Sequence, residues 1–318
     1  LKTKNLLDQF QQQVQEALDL GHIKLLNTED QKNVLQKFHN CIKANYVLKE
    51  SGSTPLRVVS NASAHHPSGS INSNCVGGET ILPNLFFIVM NFLLQPFTAI
   101  FDIKRCYRSI WTDKQTNQLR LIPYWDSLED DEANRLLMFQ RVTYGDLPAS
   151  TYLQIIMQTI IALDVKTEFA KKTILQMMYV DDGLQASRNQ KEIKEGLLDL
   201  KSSLEKFGFE LKHLLFNFET TDDIQEEQSL FHLKYNIHKD LIGVKVNLNL
   251  FPKNRGVPKG PNLIDMKSLD NIKLTKTVAS RLVGQIFDLI GHITILRSSF
   301  LILFSKVCVL THNWTDAV

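Results

Sequence analysis

The stretch Met177-Met178-Tyr179-Val180-Asp181-Asp182-Gly183-Leu184-Gln185 decides how the rest of the chain is interpreted. An apolar run from Ile174 to Val180 leads into two adjacent carboxylates and a glycine, and apolar residues resume at Leu184. This pattern is typical of a β-hairpin that carries acids at its turn. Because charge at the tip of a buried strand is costly unless it is neutralised, the pattern indicates a site for positive charge.

A second strand-like run, Phe97 to Phe101, also ends in a carboxylate, Asp102. Two strands that each end in an acid can lie side by side in one sheet. Their carboxylates would then converge on a pair of divalent cations about 4 Å apart, as in phosphoryl-transfer sites. The alternative for Asp182-Gly183 taken alone is an ordinary hairpin turn, because Asp-Gly is a common turn pair.

The composition is that of a folded globular protein. The chain has 318 residues, of which 43% are hydrophobic and 22% are charged, and this length is sufficient for two or three subdomains. The net charge of +2 excludes bulk charge as a means of binding a polyanion. Any nucleic-acid surface must therefore be a local patch, and basic residues recur between Lys253 and Lys276.

The cysteines and apolar runs argue against a disulfide framework and a membrane span. No CxxC pair and no zinc-like spacing of cysteine and histidine is present, so reduced intracellular thiols are expected. The cysteines are Cys41, Cys75, Cys106 and Cys308. We expect no signal peptide, and the apolar segments 82–101 and 293–310 contain prolines or charges that favour core elements.

Helices and strands are expected to alternate irregularly. Neither the glycine fingerprint of a Rossmann unit nor a GxxxxGK[ST] loop is present. Helices are predicted at 4–19, 30–38, 81–94, 149–169, 190–207, 275–291 and 294–309. Strands are predicted at 47–50, 56–60, 97–102, 119–124, 135–140, 174–180, 209–212 and 241–244, with a turn and short strand at 103–110. Long loops or linkers are predicted at 61–80 and 249–262.

Four motifs in order carry a resemblance to a known family. They are Arg57, Asp102 followed by Tyr107, Tyr144-Gly145 followed by Gln154, and Tyr179-Val180-Asp181-Asp182. This set resembles the reverse transcriptases, and the surrounding sequence is most similar to those of BEL/Pao long-terminal-repeat retrotransposons. The segments 56–63, 69–72, 83–85, 101–103 and 274–289 follow that family's order and spacing, and the resemblance covers nearly the whole chain.

The resemblance implies an α+β right-hand polymerase, with fingers, a palm that contains an antiparallel sheet, and a helical thumb. It assigns residues 1–95 to the fingers with the start of the palm, 96–110 to the palm, and 111–141 to a fingers insertion. Residues 142–248 continue the palm, and 249–318 form a linker and a helical thumb or connection.

The resemblance also implies the roles of the acidic residues. Asp102 and Asp181 would hold two Mg²⁺ ions, for which Mn²⁺ could substitute, and the backbone carbonyl of Ile103 would help. Asp182 would complete the acidic cluster. One ion would lower the pKa of the primer 3′-hydroxyl, and the other would neutralise the triphosphate and the leaving pyrophosphate.

The remaining motif residues are implied to bind the nucleotide. Arg57 would clamp the triphosphate, and the ring of Tyr107 would exclude a 2′-hydroxyl. Tyr144, Gly145 and Gln154 would line the nucleotide and template side, while Lys212 is a candidate proton donor. Alternatives remain open: Arg57 and Lys212 as solvated strand residues, and Tyr107 as a core tyrosine.

Several positions depart from the family pattern. Asn61 stands where the family usually has aspartate, Ala149-Ser150 replaces a usual Ser-Pro, and Val246 replaces a common tryptophan. The three acids are nevertheless intact. These departures place the level of activity in question.

Two main hypotheses follow. The first is an RNA-directed DNA polymerase that uses an RNA or DNA template-primer and dNTPs, with RNase H and integrase regions in the same polyprotein. It would act without a membrane, in the cytoplasm within a retrotransposon particle, or in the nucleus. The second is a domesticated or degraded fold that binds nucleic acid without catalysis. A third, an RNA-directed RNA polymerase, is disfavoured by Tyr107.

Overall fold

The computed structural model describes residues 7–37, 41–48, 56–65, 69–79, 81–125, 133–219, 227–231, 233–244, 253–254, 257–258, 273–286 and 288–317. These residues form a mixed α and β structure in which every paired strand is antiparallel. The helices are α1 (Leu7–Asp19), α2 (Thr28–Lys37), α3 (Leu85–Leu93), α4 (Lys114–Gln118), α5 (Ala149–Leu163), α6 (Glu168–Lys172), α7 (Gln190–Lys206), α8 (Lys276–Gln285) and α9 (Thr294–Leu310).

The strands are short, as expected for antiparallel sheets joined by tight turns. They are β1 (Ile23–Leu25), β2 (Lys43–Leu48), β3 (Leu56–Asn61), β4 (Phe97–Ile103), β5 (Leu121–Tyr124), β6 (Arg135–Phe139), β7 (Met178–Tyr179), β8 (Asp182–Ser187), β9 (Leu211–Phe216), β10 (Glu227–Leu230), β11 (Leu233–Asn236), β12 (Leu241–Val244), β13 (Lys253–Asn254) and β14 (Val257–Pro258).

A four-stranded sheet, in the order β7-β8-β4-β9, lies at the centre of the fold. Both of its faces are covered. Because side chains alternate along a strand, Ala99, Phe101 and Ile103 of β4 face one core with buried residues of α5 and α7. Ile100 faces a second core that contains buried residues of α3, β10 and β11. The sheet is therefore held rigidly between two layers.

Smaller sheets surround the central one. Strands β1, β6 and β5 form a three-stranded sheet, β2 pairs with β3, and β10, β11 and β12 form a second three-stranded sheet. The β1-β6-β5 sheet packs with α1 around Val14, Ile23 and Leu137. No helix in the described part of the chain is both long and apolar enough to cross a membrane.

Most long helices begin where the sequence predicts. Asn189 accepts hydrogen bonds from the backbone N–H groups of Lys191 and Glu192 at the start of α7, and Thr275 accepts one from Val278 at the start of α8. The predicted pairing of β5 with β6 is confirmed apart from end residues. The predicted pairing of β2 with β3 is also confirmed, but β2 begins at Lys43 and not at residue 47 as predicted. Strong periodicity combined with a capping residue was sufficient to locate these elements.

Several predicted elements are wrong in extent or type. The helix predicted at 149–169 ends at Leu163, and a separate short helix follows Thr167. The Asp199 carboxylate accepts hydrogen bonds from the backbone N–H groups of Lys166 and Thr167, so the chain turns there instead of continuing as helix. The helix predicted at 275–291 ends at Gln285. Residues 106–109 form a 3₁₀ turn rather than a strand.

The apolar run Ile174 to Val180 is only partly a strand. Residues Thr173–Met177 form a π-helical turn, and only Met178 and Tyr179 pair in the sheet. Apolar periodicity cannot distinguish a buried helical turn from a buried strand over so few residues. Strands β1, β10 and β11 and helix α4 are found in addition to the predicted elements. Most of the predicted 249–262 linker and the departure at Val246 lie outside the described residues.

Candidate active site

Three carboxylates converge at one end of the central sheet. Asp102 lies directly opposite Asp182 across the β4–β8 pair, and Asp181 lies in the turn that joins β7 to β8. Each side chain offers an oxygen, and these three oxygens lie within 4.8 Å of one another. The predicted convergence of two strand ends is confirmed for these residues.

The β7–β8 turn is built from Val180 and Asp181. Tyr179 pairs with Asp182, so only these two residues lie between the strands, and Asp182-Gly183 is not the turn. Val180 has a φ of 61°, in the left-handed region, which is strained for a β-branched residue. A positive φ at the first of two turn residues is typical of the type II′ hairpin. The Ile103 N–H donates to the Asp181 carbonyl oxygen over 2.9 Å and fixes the turn against β4.

Gly183 leaves room for the Phe101 ring next to the acids. A Cβ atom at this position would lie 2.0 Å from Cζ of Phe101, the residue directly opposite on β4. The Phe101 ring is buried, so it has little freedom to move away. The glycine is therefore required by the close approach of the ring, and it permits the Asp102–Asp182 register.

The carboxylates lie in an environment that disfavours their ionised forms. Burial raises the pKa of each of the three, and for Asp182 burial and the neighbouring Asp181 and Asp102 raise the pKa to about 7. Like charges directly opposite one another across a sheet are destabilising. The site therefore holds negative charge that the described side chains do not fully compensate.

Two residues near the acids were not predicted from the sequence. The Cys106 thiol donates to Asp181 Oδ2 over 3.8 Å, and burial, then Asp181, raises the pKa of this thiol. Lys212 and His213 lie near enough to Asp102 to offset part of the rise in the pKa of that carboxyl. His213 has a φ of 55°. No sequence pattern marked either contact, because both depend on packing between distant segments.

Tyr107 and Tyr144 lie together beside the acids. Their rings pack edge to face, with centroids 5.1 Å apart and an interplanar angle of 74°. Burial, followed by the neighbouring Cys106 and Asp181, raises the pKa of both hydroxyls, that of Tyr107 to about 12. Both groups therefore stay protonated near neutral pH. Gly145 follows with a φ of 102°.

The other predicted site residues differ in exposure and in their distance from the acids. Lys212 is exposed on β9, directly across from Asp102. Gln154 is buried among the core residues of α5 at 4% exposure, so a role on the nucleotide side stays a prediction. Arg57 lies in β3 opposite Val47; its side chain lies outside the described residues. The structure thus brings Asp102, Ile103, Asp181, Asp182 and Lys212 together and places Tyr107 and Tyr144 nearby.

The chemistry of the donor set fits a divalent cation. Carboxylate oxygens are the ligands that Mg²⁺ and Mn²⁺ prefer, and three of them lie within reach of shared ions. Burial is the largest cause of the raised pKa of each carboxyl, and a bound cation would favour the ionised forms. Asp102, Asp181 and Asp182 are therefore the residues that would hold such ions.

Comparisons with known proteins bear on the fold. No protein-family model matches the sequence, and no curated protein matches it. A solved structure of a foamy viral protease-reverse transcriptase in complex with double-stranded DNA is similar, with a TM-score of 0.59 and 11% sequence identity. The match covers 96% of this chain and 44% of that chain, so this chain spans less than half of its neighbour's length. At this identity the likeness shows the fold alone: the chain has an α+β polymerase fold of the reverse-transcriptase type.

Proposed function

We propose that this protein is an RNA-directed DNA polymerase, which adds dNTPs to a primer 3′-hydroxyl by nucleotidyl transfer. The observation that carries the proposal is the convergence of Asp102, Asp181 and Asp182 at the end of a sheet buried on both faces. The likeness in fold to a reverse transcriptase that was solved with double-stranded DNA supports it.

The acids would provide the reaction centre. Two bound divalent ions would supply the charge that activates the primer 3′-hydroxyl and neutralises the triphosphate. Asp102 would hold the ions from β4 and Asp181 from the β7–β8 turn, and the Ile103 N–H bond to the Asp181 carbonyl fixes this turn against β4. Asp182, opposite Asp102, would add negative charge that strengthens ion binding.

The surrounding residues would select and orient the nucleotide. The Tyr107 ring, braced by Tyr144, would meet a 2′-hydroxyl and so favour deoxynucleotides. Gly145 would let the backbone approach the substrate, and Arg57 and Gln154 would contact the triphosphate and the template side. Lys212, exposed beside Asp102, would donate a proton to the leaving pyrophosphate.

We propose a BEL/Pao-type retrotransposon as the source of this polymerase, on the basis of the sequence resemblance. Its partners would then be an RNA or DNA template-primer and the RNase H and integrase regions of one polyprotein. The cytoplasm, within a retrotransposon particle, would be its site of action, with the nucleus as the alternative.

Primer extension tests the proposed function. Wild-type protein should extend a DNA primer on an RNA template with dNTPs and Mg²⁺ or Mn²⁺, and Asp181→Asn should lower the rate by about a thousandfold or more. Asp19→Asn, an exposed carboxylate at the end of α1, is the matched control and should retain wild-type activity. Equal extension by wild type and Asp181→Asn, or none by wild type under either metal, would refute the proposal.

A second candidate is a domesticated or degraded fold that binds nucleic acid without catalysis. It is favoured by the departures from the family pattern, among which Asn61 uses its side chain to accept from the Ser63 N–H within a turn. This candidate predicts salt-dependent template-primer binding without incorporation.

An RNA polymerase would instead incorporate rNTPs. Tyr107→Ala should relax the preference for deoxynucleotides if the proposed role of this tyrosine is correct.

A further inference from the structure

The turn that follows Tyr144 is held by side chains from a distant segment. The Ser60 hydroxyl donates to the Tyr144 carbonyl oxygen over 2.9 Å, and the Asn72 side-chain amide donates to the Gly145 carbonyl oxygen over 2.8 Å. A Cβ atom at Gly145 would lie 3.1 Å from the Ser60 carbonyl oxygen, so the two segments are in close contact. The backbone of the turn is thus positioned by the end of β3 and by the segment that follows β3.

Asn72 makes three hydrogen bonds at this contact. Its amide nitrogen donates to both the Gly145 carbonyl and the Ser63 hydroxyl, each over 2.8 Å, and its Oδ1 accepts from the Leu147 N–H over 2.9 Å. The partners fix which atom is which, because an N–H must face the acceptor and a carbonyl oxygen must face the donor. Both N–H donors and the carbonyl oxygen of the Asn72 side chain are therefore hydrogen-bonded.

The segment that carries Asn72 is itself well anchored. The Asn72 backbone N–H donates to the Ala62 carbonyl over 3.1 Å. Asn72–Asn74 form a 3₁₀ turn, and Ser70, just before it, exchanges hydrogen bonds with Ser73. Asn72 is consequently presented by a pre-organised backbone, and little ordering entropy opposes its contacts.

The turn that Asn72 fixes carries the Tyr144 ring, which packs on Tyr107 beside the acids. A shift of the Tyr144 backbone would change how these two rings meet. Misplacement by about 1 Å in an active site can cost two orders of magnitude in rate. The hydrogen bonds of Asn72 therefore bear on the geometry of the nucleotide pocket without contact with the acids.

We propose that Asn72 is a positioning residue that sets the Tyr144–Gly145 turn for the incoming nucleotide. This inference rests on the proposed polymerase function and deepens it. It predicts that loss of the amide weakens nucleotide binding more than it slows the chemical step, since the carboxylates are untouched.

Steady-state primer extension by Asn72→Ala, Asn72→Asp and Asn74→Ala tests this proposal. Asn74 lies in the same 3₁₀ turn, but its side-chain amide donates to the Ser70 carbonyl and the Ser73 hydroxyl, which lie in its own segment, so it is the matched control. We expect Asn72→Ala to raise the KM for dNTP about tenfold, with kcat changed by about twofold at most. Asn72→Asp should raise the KM at least as much, because the carboxylate presents an oxygen to the Gly145 carbonyl where the amide presented an N–H donor. Asn74→Ala should keep the wild-type KM.

Amide hydrogen exchange gives a readout that is independent of activity. The peptide containing residues 144–147 should exchange faster in Asn72→Ala than in wild type or Asn74→Ala, since the Leu147 N–H loses its acceptor. An unchanged exchange rate, or an unchanged KM for dNTP in an active Asn72→Ala enzyme, would overturn the inference. If wild type itself shows no incorporation, the proposed function fails, and the exchange rates alone decide whether Asn72 holds the turn.

Discussion

At the scale of one residue, Asp182 occupies a position where its negative charge destabilises the fold. It lies opposite Asp102 and next to Asp181, so its ionised form faces two like charges in a half-buried environment. The folded protein tolerates this arrangement because the central sheet is fixed by packing on both faces. Such destabilising arrangements are typical of functional sites.

The raised pKa of Asp182, about 7, predicts a pH dependence of stability. The folded state binds this proton more tightly than the unfolded chain, whose aspartates titrate near pH ~3.9. The stabilising contribution is therefore complete below about pH 4 and is lost as the pH rises through about 7. In EDTA, Asp182→Asn should raise the melting temperature relative to wild type, and by more at about pH 8 than at about pH 5.

Thermal unfolding of both proteins across this pH range checks that expectation. Added Mg²⁺ should raise the melting temperature of wild type more than that of the variant, because a bound ion offsets the charge. A difference between the two melting temperatures that does not change with pH would contradict the proposed environment of Asp182.

Gly183 gives a second prediction at this scale. Gly183→Ala places a methyl group 2.0 Å from Cζ of the buried Phe101 ring, which is a steric clash. We therefore expect a loss of about 2 kcal/mol or more in the free energy of unfolding. Gly243→Ala is the matched control, because Gly243 also lies in a strand and a Cβ there has no neighbour within 4 Å among the residues that the structure describes. It should change stability by less than about 1 kcal/mol. Equal effects in urea unfolding would show that the ring contact does not constrain the register.

At the scale of elements, the sequence predicted best where a local signal coincides with the final environment. Asn189 and Thr275 cap helices as expected, since a cap needs only a short-range hydrogen bond. The prediction for the run Ile174 to Val180 was wrong because a π-helical turn also places apolar side chains in the core, here those of Ile174 and Met177. Asn72 and Gly145 are 73 positions apart, so no periodic pattern marks their contact.

A buried ion pair joins two elements near the site. Arg120, just before β5, contacts Asp146 over 3.1 Å with both side chains at 4% exposure or less, and Asp146 also accepts from the N–H and hydroxyl of Thr143. This pair ties the β1-β6-β5 sheet to the turn that contains Gly145.

Breaking that pair should be costly, because it leaves a buried charge without its partner. We expect Arg120→Met to lower the free energy of unfolding by about 3–5 kcal/mol. Arg120→Met combined with Asp146→Asn should cost less than the sum of the two single changes. The exposed Lys24–Asp30 pair has the same 3.1 Å distance, so Lys24→Met is the control and should cost less than about 1 kcal/mol. Additive effects in urea unfolding would show that Arg120 and Asp146 are not coupled.

At the scale of the whole molecule, the acids could be placed from the sequence because each lies at a strand end or in the turn between two strands of one sheet. The likeness to a reverse transcriptase persists at 11% identity, so it resides in the arrangement of elements rather than in most side chains. The sequence could not predict Cys106 beside Asp181, since that contact depends on how the 3₁₀ turn packs.

The central claim is that Asp102, Asp181 and Asp182 together bind divalent cations. Titration of the purified protein with Mn²⁺, followed by the electron paramagnetic resonance signal of the free ion, measures that binding directly. We predict that wild type binds Mn²⁺ at least about tenfold more tightly than Asp181→Asn, with Asp19→Asn equal to wild type. Equal Mn²⁺ affinity in wild type and a folded Asp181→Asn variant would contradict the account.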